Sequence, residues 1–153
     1  MEKKTDLIEI LKNEILKVDK SKITLEHSFN KVSKVVIGPI DDYKIDDLDI
    51  LEILTSRFAR TSDLLVKKIF RVIEAIDLEE KGTIRDLINQ AEKKGLISSA
   101  SIFVRIRELR NLISHEYQED DLNTIFKEVI KLTPELLESI DLIKEHVKKY
   151  EIK

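Results

Sequence analysis

Between residues 46 and 76 apolar side chains recur every three or four positions, at Leu51, Leu54, Phe58, Leu65, Ile69, Val72 and Ile76, with no glycine or proline among them. A stripe of that period buries one face of a long helix, whereas a strand would need strict alternation. The same spacing returns along most of the chain. Leu7, Ile8, Leu11, Ile15 and Leu16 predict a short helix over residues 5–17, with Thr5 or Asp6 as N-cap. After the polar stretch 19–22, Leu25, Phe29, Val32 and Val36 predict a second helix, stopped by Gly38-Pro39.

Further on, Thr83, Ile84, Arg85 and Asp86 form a capping-box-like start for a helix over residues 83–94, which Gly95 ends. Ser99 or Ser101 opens the next helix, whose core stripe is Ile102, Ile106, Leu109 and Ile113. Leu122, Phe126, Val129, Leu136, Ile140, Ile143 and Val147 describe a last helix over residues 121–150, kinked or divided at Pro134. Nothing reads as a strand. The expected fold is all-α: an antiparallel up-down bundle of four main helices plus one or two short ones. At 153 residues the chain suits one domain, 1–153, with residues 1–20 as an N-terminal extension helix.

Composition narrows the chemistry. There is no cysteine, which removes disulfides, thiolate metal sites and a cysteine nucleophile, and fits a reducing cytoplasm. The charged N-terminus lacks the apolar run of a signal peptide or membrane span. Paired-histidine ligand spacing and glycine-rich phosphate loops are absent, so neither metal nor cofactor is expected. A net charge of −3 argues against coating nucleic acid through the overall field, although Arg57, Arg60, Lys67, Lys68 and Arg71 face only Asp63 within their stretch.

Residues 110–117 read Arg-Asn-Leu-Ile-Ser-His-Glu-Tyr, near the end of an amphipathic helix. A histidine exchanges protons near neutral pH and an arginine holds phosphate oxygens, so Arg110 and His115 suit metal-free phosphodiester chemistry. Five positions separate them, roughly 140° around the helix axis, so they need not touch within one chain. If two copies of the helix met across a two-fold axis, both pairs would converge on one cleft.

Arg110, four residues, His115, one residue and Tyr117, with Asn111 directly after the arginine, resembles the signature of HEPN domains, and in particular of the HepT toxins of HEPN/MNT toxin-antitoxin pairs. The helical pattern is similar from about residue 24 onward. The resemblance implies a helical bundle that forms a homodimer and a metal-independent endoribonuclease cleft built from Arg110 and His115 of both copies. It also implies a partner, a minimal nucleotidyltransferase antitoxin, that silences the toxin by adenylylating Tyr117. Asn111 would support the imidazole, and Arg107, Arg105 and Arg60 are candidate RNA contacts. Some members of the wider family are binding subunits without activity, so the alternative is a non-catalytic substrate-binding or accessory subunit of the nucleotidyltransferase.

Each residue also has a structural reading. His115 can serve the terminal carbonyls of its helix, Arg110 a surface ion pair, and Tyr117 a ring packed beneath the bundle with its hydroxyl in water. His27 and His146 lack such company and are expected at the surface.

Overall fold

The computed structural model describes residues 2–35, 42–115 and 119–150. Its first element, α1 (Glu2–Val35), is one helix of 34 residues where the sequence predicted two. The buried side chains Ile8, Leu11, Val18, Leu25 and Val32 show why. Val18 and Leu25 are two turns apart, so the apolar stripe passes straight through the polar stretch. The polar residues there reach across to the last helix: Lys144 Nζ lies 2.6 Å from Asp19 Oδ1, and Lys22 Nζ lies 2.7 Å from Asp141 Oδ1. The predicted stop at Gly38-Pro39 lies outside the described residues.

α2 (Ile45–Leu64) continues without a break into a π-helical turn (Leu65–Phe70) and then α3 (Arg71–Ile76). The predicted stripe is buried except at Val72, which is half-buried while Ile73 takes the core position, and the wider turn brings Val66 and Phe70 inward as well as Leu65 and Ile69. Such single turns admit one extra residue and change the face a helix presents. Phe70 thereby meets Phe103 at a ring-centroid separation of 5.5 Å.

α4 (Ile84–Lys94) starts on Thr83, whose hydroxyl accepts from the Asp86 amide while the Asp86 carboxylate accepts from the Thr83 amide. It ends on Gly95 at φ 79°, the left-handed conformation that favours glycine there. α5 (Ala100–Ser114) opens on Ser99, the first of the two predicted caps. α6 (Glu119–Val147) runs through Pro134 undivided, and a 3₁₀ turn (Lys148–Tyr150) follows.

α1 lies along α2 and also touches α3 and α6, while α5 packs on α2, α4 and α6. The result is an all-helical bundle with no strand among the described residues. No described helix is long and apolar enough to cross a membrane. Beyond α3 a polar clasp closes the far end. Tyr150 donates its hydroxyl to Asp77 Oδ1 at 2.8 Å, and Lys94 Nζ lies 2.9 Å from Asp77 Oδ2. His146 belongs to this end rather than to the open surface: it is half-buried, its ring edge-on to Tyr150.

Candidate functional site

The last two turns of α5 carry the motif, and their neighbour is the C-terminal end of α2, where Ser62 and Asp63 lie. Ile106 and Leu109 are buried, which fixes the rotation of α5 and turns Arg107 and Arg110 toward α2. Both arginines end on one carboxylate. Arg110 donates from Nε to Asp63 Oδ1 at 2.6 Å and from Nη2 to Asp63 Oδ2 at 2.7 Å, a two-point fork matched to the shape of a carboxylate. Arg107 donates from Nη1 to Asp63 Oδ1 at 2.8 Å and to Ser62 Oγ at 2.9 Å. Lys67 Nζ stands 3.8 Å from Asp63 Oδ2.

Three cations therefore surround one acid. Burial pushes the Asp63 carboxyl up, but hydrogen bonds from Arg110 and Arg107 outweigh this and hold it below the usual carboxylate range. Its own bonds to Asp63 raise the Arg110 guanidinium further, against a smaller opposing effect of desolvation.

Arg107, predicted as an RNA contact, is 7% exposed. Its charge faces α2 from within the bundle, and its Nε has no hydrogen-bond partner among the described residues. The sequence placed it off the apolar stripe of α5, which is correct, yet that side of the helix meets Ser62 and Asp63 rather than water. Arg105 is exposed and paired with Glu128 at 3.1 Å. Arg60 is exposed, with no ion pair among the described residues.

Arg110 also donates from Nη1 to Ser114 Oγ at 3.0 Å, and Ser114 donates onward to the Asn111 carbonyl at 2.9 Å. His115 is the C-cap of α5, with extended backbone at φ −93° and ψ 156°, and its amide donates to the Leu112 carbonyl. Its imidazole is exposed and makes no hydrogen bond among the described residues, to Asn111 or to anything else. Arg110 and His115 are thus brought to one helix end without being bonded to each other. Tyr117 lies outside the described residues.

A cavity of about 330 Å³ opens beside Arg110, between α2, α5 and α6. Asp63, Arg60 and Arg110 supply its charge together with Glu52, while Ala59, Ile113 and Phe126 give it an apolar wall. Among the described residues no cluster of His, Asp or Glu side chains is placed to hold a metal ion.

Asp63 and Ser62 are the site residues that sequence reasoning missed. The one available signal was that Asp63 is the single acid within the basic stretch from Arg57 to Arg71.

A helical bundle whose distinctive chemistry gathers at the end of one helix defines the class. A family model described as nucleotidyltransferase substrate binding protein like matches residues 14–145. The chain belongs to that family of HEPN-like helical proteins associated with nucleotidyltransferases. No curated protein and no solved structure matched the chain.

Proposed function

We propose that this chain is the helical member of a HepT-like HEPN/MNT pair, a toxin that cuts RNA without a metal ion at a site formed between two copies. The observation that supports this best is the end of α5, where Asp63 and Ser114 hold Arg110 in one orientation and His115 stands exposed one residue beyond the helix. In the proposed reaction His115 takes the proton of a ribose 2′-hydroxyl, or returns one to the departing 5′-oxygen. The 2′-oxygen attacks the adjacent phosphorus, the bond from phosphorus to the 5′-oxygen breaks, and a 2′,3′-cyclic phosphate remains. Two of the five Arg110 N–H groups face Asp63 and a third faces Ser114, which leaves two for the phosphate as its charge develops.

Silencing would come from adenylylation of Tyr117 by the nucleotidyltransferase. An AMP group two residues from His115 would fill the cleft and repel RNA phosphates. The chain would act in the cytoplasm.

A second reading is favoured by one observation. Asp63 occupies the forked face of Arg110 and would compete with a phosphate there, as suits a non-catalytic subunit that presents substrate to the nucleotidyltransferase. The two readings part on product chemistry. Purified protein with EDTA should release RNA fragments ending in a cyclic phosphate and leave the matching 2′-deoxy oligonucleotide whole. Intact RNA after treatment with unmodified protein, its mass verified, would select the accessory subunit.

A further inference from the structure

Four cations meet in a second cavity, of about 410 Å³, on the other side of Arg60 between α1 and α2. Lys17 and Lys20 come from α1, Arg57 and Arg60 from α2, and the rest of the lining is serine and threonine. No carboxylate lines it among the described residues. The acids on this part of α1 are turned aside. Asp19 pairs with Lys144 of α6, and the largely buried Glu14 meets Lys17 at 3.2 Å, a contact that leaves the Lys17 side chain 64% exposed. Arg57 is anchored through Nη1 to the Thr24 carbonyl and Ser28 Oγ, so its guanidinium is fixed in the groove. In a chain of net charge −3 this is a local reversal of sign.

Arg60 lines both cavities, so the basic groove adjoins the one that holds Arg110. The predicted basic run on α2 is divided in the structure. Arg57 and Arg60 join this groove, whereas Lys67 turns to Asp63 and Arg71 to Glu74 and the Gly82 carbonyl.

We propose that the groove between α1 and α2 carries the phosphate backbone of single-stranded RNA toward Arg110, with Lys17, Lys20, Arg57 and Arg60 as the phosphate contacts. This rests on the ribonuclease reading for its direction, and it gives α1 a role in substrate binding that no motif in the sequence announced. Guanidinium and ammonium groups interleaved with hydroxyls suit phosphate oxygens, and the absence of an aromatic lining suits a backbone more than a stacked base.

The test is a salt titration of binding to a fully 2′-O-methylated single-stranded RNA, which cannot undergo 2′-hydroxyl attack, so that binding is read independently of cleavage. Each phosphate contact contributes about 0.7 to the slope of log affinity against log salt for a single strand. Lys17→Ala/Lys20→Ala should therefore lower the slope by about 1.4, with weaker binding at low salt. Lys127→Ala/Lys131→Ala makes the same change of net charge at exposed positions of α6 outside both cavities, and should leave the slope unaltered. An equal loss in both double variants, an unchanged slope in the first, or no binding by the wild-type protein would overturn the proposal. So would intact RNA binding in the first variant together with lost binding to the nucleotidyltransferase, since the groove would then belong to the partner. Cleavage of unmodified RNA, measured separately, decides the ribonuclease reading whatever the slopes show.

Discussion

Removing the Asp63 carboxylate tests whether the α2–α5 junction is held as described. Arg107 is 7% exposed, its Nε is already without a partner among the described residues, and Asp63→Ala would leave Ser62 Oγ as its one remaining acceptor among them. Stranding a buried charge in this way costs about 3–5 kcal/mol. The Asp63 side chain is 27% exposed, so water enters the vacated space and the lower end, about 3 kcal/mol, applies. For a chain of this size that is a fall in Tm of roughly 6–12 °C. Arg110→Ala leaves Asp63 with Arg107 and removes a cation that is 22% exposed, so its cost should be nearer about 1 kcal/mol. In Asp63→Ala/Arg107→Met neither charge remains, and most of the lost stability should return. Thermal and urea unfolding followed by the helical circular-dichroism signal would measure all three. The reasoning fails if Asp63→Ala lies within about 0.5 kcal/mol of wild type, or if the double variant is no more stable than Asp63→Ala.

Three further outcomes follow from the same contacts. Asp63 and Asp77 both have folded carboxyl values held below the unfolded one, so their contribution to stability is present above the unfolded carboxyl range and is lost as pH falls through the folded values. The stability difference between wild type and Asp63→Asn should accordingly be constant from about pH 7 to pH 5 and shrink below about pH 4; a difference that grows on acidification would contradict this. Tyr150→Phe removes a hydrogen bond to the Asp77 carboxylate from a residue 9% exposed, and should cost about 1.5 kcal/mol in urea unfolding, with no loss expected if the clasp carries no energy. Leu78 sits at φ 59° and is 91% exposed, so Leu78→Asn, better suited to the left-handed region, should raise stability by about 0.5–1 kcal/mol, and a lower Tm would argue that the leucine makes a contact worth more than its strain.

What the sequence disclosed was whatever depends on near neighbours. Thr83 with Asp86, Gly95 and Ser99 mark helix ends through atoms three or four residues apart, and all sit where the pattern put them. The stripe from Leu51 to Ile76 was equally legible, but the π-helical turn inside it was not, because an apolar run reads alike with or without one extra residue. The predicted break in α1 failed for a related reason. A polar stretch signals a loop only if it has no partner, and those of Asp19 and Lys22 lie more than a hundred residues away on α6. The role of Asp63 escaped notice likewise, since its bonds to Arg107 and Arg110 span 44 and 47 positions and belong to helix packing rather than to any motif. Arg107 shows the cost of that blindness: an arginine beside an apolar stripe faces solvent or the next helix according to what the next helix carries.

Arg110 and His115 are proposed to form a metal-independent ribonuclease site in paired copies of this chain. Cleavage of a mixed RNA pool in EDTA by wild type, Arg110→Ala and His115→Ala, each first shown to be folded and of the same oligomeric state, tests it most directly. Wild type should cut, with a loss of at least about a hundredfold in His115→Ala and a comparable loss in Arg110→Ala. Equal cutting by all three proteins, or none by unmodified wild type, would contradict the proposal.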